Sequence, residues 1–86
     1  MRKVHWKREW MNWMYLGGFV HLNGNREVRV ENCRRVLECD EVRVRIATRE
    51  LIVDIWGTGL RVFDYNDNNV LVRGKIASVQ LSERRG

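Results

Sequence analysis

The fold of this chain is decided by the stretch EVRVENCRRVLECDEVRVRIATRELIVDIWGTGLRV, which occupies residues 27–62. Within it, apolar residues recur at every second position, and charged or polar residues stand between them. The alternating apolar positions are Val28, Val30, Val42, Val44, Ile46, Leu51, Val53, Ile55, Leu60 and Val62. A period of two places one side of each segment on a core and the other side in water, which is typical of β-strands.

Short turn signals separate these segments. They are Asn23-Gly24-Asn25, Asp40-Glu41, Thr48-Arg49, Gly57-Thr58-Gly59 and residues 66–69. Gly74 interrupts the last apolar run and predicts a bulge or a bend. The regular spacing predicts an all-β domain over residues 19–82, built as a small antiparallel meander of seven or eight short strands that forms a sandwich or an open barrel. Residues 83–86 are expected to be a frayed tail.

The N-terminal segment has a different period. Trp6, Trp10 and Trp13 recur at helical spacing and would share one side of a helix. Gly17-Gly18 follows and allows the chain to change direction. The sequence therefore predicts one basic amphipathic helix over residues 1–16.

Three interpretations of the tryptophan face stay open. It packs on the β-domain, it lies in a membrane interface, or it binds a groove of a protein partner. The basic residues beside it are Arg2, Lys3, Lys7 and Arg8. These residues would attract an anionic membrane surface, so residues 1–15 are the candidate partner-binding or membrane-binding site.

The net charge of +5 over 86 residues is concentrated at the two ends. Residues 16–82 carry ten Lys or Arg against nine Asp or Glu, so the body of the domain is almost neutral. A nucleic-acid-binding protein more often carries its excess on the folded body. This distribution makes nucleic-acid binding by a small basic β-barrel the alternative function rather than the main one. No apolar run is long enough for a transmembrane helix, and a cytoplasmic protein is expected.

Side chains that could carry chemistry are scattered. His5 and His21 are 16 residues apart on different elements, which indicates neither a metal site nor an acid/base pair. Cys33 and Cys39 have no further ligands beside them and are expected to be reduced, partly buried side chains. The sequence predicts no catalytic residue, no metal, no cofactor and no small-molecule substrate.

Open strand edges are a second place where partners could bind. An open meander leaves two edges of unpaired backbone groups, which pair with other chains unless they are protected. Arg43, Arg45 and Arg49 either protect such an edge or contact acidic residues of a neighbouring subunit. Oligomerisation by strand addition and edge protection are both consistent with this pattern.

Val30–Cys39 is similar to the pattern IEN-h-k-g-I-x-E-Y, and residues 51–62 and 70–79 are similar to the strands that follow it in one protein family, in the same order. By these stretches the β-domain resembles the YabP/YqfC family of sporulation proteins. The spaced anchors of this resemblance are Glu31, Asn32, Gly57, Leu60 and Gly74. Two departures are Arg35, where the family usually has glycine, and Cys39, where it often has tyrosine.

This resemblance implies a protein of endospore-forming Firmicutes that is made in the mother cell during sporulation. It would act in development of the forespore envelope, meaning the coat or cortex, by scaffolding or assembly. The family has no established enzymatic activity, so no catalytic residue is carried over. The expected location is the mother-cell cytoplasm, with peripheral binding at the forespore membrane, and the expected partners are proteins or further copies of the chain.

Overall fold

The computed structural model describes residues 2–5, 13–16, 20–64 and 68–84, and it describes side chains for residues 20–63 and 68–84. The strands are β1 (Arg2–His5), β2 (Trp13–Leu16), β3 (Val20–Asn23), β4 (Glu27–Val30), β5 (Arg35–Cys39), β6 (Arg43–Ala47), β7 (Leu51–Asp64) and β8 (Val70–Glu83). All pairings are antiparallel. Strands β3–β8 form one open sheet, in which β4 pairs with β8, β8 with β7, β7 with β6 and β6 with β5.

Local turn chemistry builds the hairpins. Between β3 and β4, Gly24 has φ 57° and the Arg26 amide donates to the Asn23 carbonyl at 3.3 Å. Between β5 and β6, the Asp40 carboxylate accepts the amides of Val42 and Arg43, each at 2.8 Å. Short polar side chains close such turns because they bond to backbone groups two or three residues ahead.

The long hairpin of β7 and β8 organises the sheet. Each strand has 14 residues, and a straight strand of that length would extend about 43 Å. The longest dimension of the molecule is 36 Å, so the hairpin must bend. The register of pairing with β8 changes between Trp56 and Gly57, and it changes again between Thr58 and Arg61. The turn predicted at Gly57-Thr58-Gly59 is therefore wrong, because a bulged region inside one strand replaces it.

Two glycines allow the backbones to approach at this bend. A Cβ atom on Gly57 would lie 2.2 Å from the Lys75 carbonyl oxygen, and Gly74 has φ 148°, which favours glycine. The Gly57 amide donates to the Val42 carbonyl at 3.0 Å, and the Leu60 amide donates to the Glu41 carbonyl at 2.9 Å. The bend is thus hydrogen-bonded to the turn between β5 and β6.

One apolar core lies inside the curled sheet. Its fully or almost fully buried residues are Val20, Leu22, Val28, Val30, Val44, Ile46, Val53, Ile55, Leu60, Val70, Val72, Ile76, Val79 and Leu81. They come from both halves of the β7–β8 hairpin and from β3, β4 and β6. Burying each such side chain contributes roughly 1.5–3 kcal/mol, which makes this core the main source of stability.

The all-β, antiparallel architecture predicted from the sequence is confirmed, with a single open sheet curled around its core. The helix predicted over residues 1–16 is not confirmed. The backbone at Arg2–His5 and at Trp13–Leu16 forms β-strands that pair with β8 and β3. These two ranges are therefore strands and not parts of a helix. Residues 6–12 lie outside the described residues. Pairing with a neighbouring strand outweighs local periodicity where the sheet offers an open edge.

At the other end, β8 continues to Glu83. The Arg84 amide donates to the Glu50 carbonyl at 2.8 Å, and Arg84 Nη1 donates to the Thr48 carbonyl at 2.9 Å. The tail predicted over residues 83–86 is therefore bonded to the turn between β6 and β7 as far as Arg84. The described part of the chain contains no helix that is long and apolar enough to cross a membrane.

Candidate functional site

Strand β5 is the last strand of the sheet at one edge. Among the strands that the structure describes it pairs with β6, and its other side faces away from the sheet. All five of its residues are exposed. Val36 and Leu37 have 41% and 42% of their surface accessible. An exposed edge that carries apolar side chains is a template for pairing with another strand.

A β-bulge lies at the centre of β5. Val36 is opposite Ile46 and Glu38 is opposite Arg45, so Leu37 is an extra residue between them. Because residues directly opposite each other share a face of the sheet, Val36 lies on the inner face with buried Ile46. The apolar side of β5 thus continues the core outward to the edge of the sheet.

The outer face beside β5 carries a group of paired charges. Arg43 Nε donates to Asp54 Oδ1 at 2.9 Å, and Arg43 Nη2 donates to Asp54 Oδ2 at 3.1 Å. Arg45 Nε lies 3.3 Å from Asp54 Oδ2, and the Arg43 guanidinium lies over the Trp56 ring at 4.4 Å. Two-pronged pairing of this kind is specific to the planar guanidinium.

The hydrogen bond to Asp54 raises the pKa of Arg43 above the ordinary arginine value, with further contributions from the charges of Asp54, Glu38 and Asp40 and against desolvation. A raised pKa in the folded state stabilises the fold at every pH below the unfolded pKa, and this contribution is lost only when pH rises through the folded pKa. Arg43 therefore adds no pH dependence to the stability near neutrality.

The sequence left two roles for Arg43 and Arg45, protection of a strand edge or contact with acidic residues of a neighbouring subunit, and these contacts show a different one. Both residues lie on β6, an interior strand, and their partner Asp54 belongs to the neighbouring strand of the same chain. They hold β6 to β7 rather than protect an edge. Arg49 lies exposed in the turn between β6 and β7. Because Asp54 and Glu38 together offset the charges of these two arginines, they do not form the concentrated positive charge that nucleic-acid binding favours.

A polar cleft of about 470 Å³ lies at one end of the sheet. Asn32 and Asn68 line it with φ angles of 58° and 66°, and the Cys33 amide donates to the Asn68 carbonyl at 2.7 Å. Thr48 Oγ1 accepts the Leu51 amide at 3.0 Å. Much of the polar lining therefore holds loops together. Among the described residues no three His, Cys, Asp or Glu side chains gather into a metal site.

The anchors of the resemblance have visible structural positions. Gly57 and Gly74 lie in the bend, and Leu60 is buried in the core beneath it. Asn32 takes the left-handed conformation, which asparagine tolerates well. Glu31 contacts Nε2 of His21, a side chain that is only 3% exposed. This pair joins β3 to the end of β4, and sequence spacing did not reveal it.

The N-terminal candidate site stays a prediction. Trp6, Trp10, Lys7 and Arg8 lie outside the described residues, and for Arg2, Lys3 and Trp13 the structure describes the backbone alone. The two cysteines are free, Cys33 half-buried and Cys39 exposed on β5.

The β5 surface was missed at the sequence level. Arg35, Val36, Leu37 and Glu38 fall within the stretch that resembles the family motif, but neither that motif nor their spacing indicates an edge, and only the strand order shows that they form one.

Comparison with known proteins gives one match. The family model described as the YabP family matches residues 18–86, which include β3–β8. No curated protein and no solved structure matches this chain.

Proposed function

The chain belongs to the YabP family, and we propose that it is a non-enzymatic factor that assembles through strand β5 during development of the forespore envelope. Membership in this family makes it a sporulation-associated protein. The proposed place of action is the mother-cell side of the coat or cortex, with the chain in the cytoplasm or at the forespore membrane surface. The proposed partners are further copies of the chain or other proteins.

The observation that carries this proposal is the exposed β5 edge. Natural proteins protect such edges with proline, with inward-pointing charges, with bulges or with very short strands. Strand β5 has a bulge, but its inward side carries Val36 and Cys39, which lie opposite the buried residues Ile46 and Val44. The chain contains no proline at all. This edge therefore has an apolar, pairing-competent side where a protected edge would carry a charge.

The non-enzymatic part of the proposal rests on how the polar groups are used. Asp54 binds two arginines, Glu31 contacts His21, and Thr48 closes a turn. A catalytic group needs a nucleophile, a base or an acid that faces a substrate-sized cavity. In the cleft, the Thr48 hydroxyl and the Cys33 amide serve loop structure instead.

A pair of matched variants tests this proposal in a spore-forming host that carries the gene. Leu37→Lys places a charge on the edge, while Phe63→Lys places the same charge at an equally exposed site on β7, where Phe63 is 43% accessible. We expect Leu37→Lys to reduce the assembled mass in light scattering and to lower the yield of heat-resistant spores, because a lysine on an edge opposes strand pairing.

The Phe63→Lys variant should behave like the wild type in both measurements. Equal loss in the two variants, or full spore yield with Leu37→Lys, would contradict assembly through β5. A deletion of the gene that leaves the coat and cortex normal would contradict the envelope role itself.

A further inference from the structure

Strand β5 carries opposite charges on one face, on either side of its bulge. Arg35 lies opposite Ala47, and Glu38 lies opposite Arg45. Ala47 and Arg45 are two residues apart in β6, so they share a face of the sheet, and Arg35 and Glu38 must share it as well. The extra residue at Leu37 makes this possible, because residues three apart in a regular strand point to opposite faces.

We infer that β5 pairs antiparallel with β5 of a second copy, about a two-fold axis that passes through the Val36–Leu37 bulge. This inference rests on the proposed self-assembly and specifies its partner and register. With the bulge counted as one position, Arg35 lies opposite Glu38 of the second copy. The two-fold axis repeats this pair, so the contact is isologous and closes as a dimer.

The charges of β5 favour this register over its neighbours. An axis through Arg35 would place Arg35 opposite itself, and an axis through Glu38 would place Glu38 opposite itself. Like charges directly opposite each other destabilise a strand pair, whereas opposite charges stabilise it. Among the described residues no acidic side chain lies within ion-pair distance of Arg35, and Glu38 has an exposed contact with Arg43 at 3.4 Å. Both side chains are therefore available to a second copy.

The apolar residues of β5 lie at the axis in this arrangement. Val36 and Leu37 would pack on their counterparts, which covers two of the most exposed aliphatic side chains that the structure describes. Val36 shares the inner face with core residue Ile46, so the core would continue from one copy into the next. Five residues on each side make a small contact, and a concentration-dependent dimer is expected.

Charge reversal across the axis tests the register by sedimentation equilibrium on the full chain. Arg35→Glu and Glu38→Arg should each raise the dissociation constant about tenfold, because two attractive pairs become repulsive. The double variant Arg35→Glu/Glu38→Arg restores opposite charges and should return to within about threefold of the wild type. Arg61→Glu on β7 and Glu83→Arg on β8 make the same charge changes at exposed positions on strands that do not pair with β5, and they should change nothing.

A cysteine placed at the axis gives a second readout. In a background with Cys33→Ser and Cys39→Ser, Leu37→Cys should form a disulfide-linked dimer under mild oxidation, because the two sulfur atoms meet across the axis. Val42→Cys, exposed in the turn between β5 and β6, is the matched control and should form no disulfide-linked dimer under the same conditions.

The outcomes separate this inference from the proposed function. A chain that stays monomeric at millimolar concentration, single charge reversals without effect, or cross-linking at Val42→Cys equal to that at Leu37→Cys would overturn the β5 dimer. Assemblies that persist in both charge variants would overturn it too, while they would leave self-assembly by another surface standing.

Discussion

Strands β5 and β6 are neighbours of equal length with similar local sequence, yet they have opposite environments. Strand β6 reads RVRIA and β5 reads RVLEC, so both mix charged and apolar residues. In β6, Val44 and Ile46 are fully buried and both arginines are paired with Asp54. In β5 all five residues are exposed. Position in the strand order, rather than composition, decides which of the two is core and which is surface.

This difference has a consequence for function. A strand with neighbours on both sides has its backbone groups satisfied and its side chains held, and it contributes stability. An edge strand with an apolar side contributes little stability to the monomer and has free backbone groups for pairing. The same sheet thus divides into a stabilising part and a part suited to assembly.

Truncation of one apolar residue in each strand should show the largest contrast. Ile46→Ala removes a fully buried side chain and should cost about 2–5 kcal/mol in the free energy of unfolding. Val36→Ala, in the opposite residue of β5, should cost less than about 1 kcal/mol. Urea denaturation followed by circular dichroism measures both. Comparable losses would mean that β5 is buried in the protein in solution.

A substitution at the bend of β7 tests how the bend holds the turn between β5 and β6. Gly57→Ala places a Cβ atom against the Lys75 carbonyl and should cost about 1–3 kcal/mol, because the two backbones must separate. The hydrogen bond from the Gly57 amide to the Val42 carbonyl would weaken when the backbones separate. Amide hydrogen exchange should therefore show faster exchange at the β5–β6 turn. Gly59→Ala serves as a comparison, since a Cβ atom there meets nothing within 4 Å although its φ of 63° still favours glycine.

Removal of the carboxylate charge that contacts β6, or of the one on β5, should give the smallest difference in stability. Asp54→Asn leaves Arg43 and Arg45 without their shared anion and should lower the melting temperature by a few degrees. Glu38→Gln removes a single exposed contact, and exposed ion pairs contribute little, so the melting temperature should hardly change. Thermal denaturation at a protein concentration below the dissociation constant of the inferred β5 dimer compares them, so that pairing of Glu38 with a second copy does not contribute. A larger effect for Glu38→Gln under these conditions would contradict a minor role for its contact with Arg43.

Local periodicity predicted the sheet well where side chains meet the core. The alternating residues Val28, Val30, Val44, Ile46, Val53 and Ile55 are all fully buried. Periodicity failed where pairing with a distant strand decides the structure. Gly57-Thr58-Gly59 looks like a turn, but β8 continues alongside it and makes it a bulge. Trp13–Leu16 fits a helical period but pairs with β3.

By itself, the sequence determined the all-β class, most of the hairpin turns, most of the core-facing residues (Val42, at 53% exposure, is an exception) and, through spaced anchors, the likeness to the YabP family. These features depend on near neighbours in the chain, such as alternation along a strand or asparagine and glycine in a turn. The tertiary structure decided that β5 is the edge, that Arg43 and Arg45 share Asp54, and that Arg35 and Glu38 lie on one face of β5. The reason is physical: strand order and bulge position arise from backbone pairing between segments far apart in the chain, and alternation within one segment does not encode that pairing.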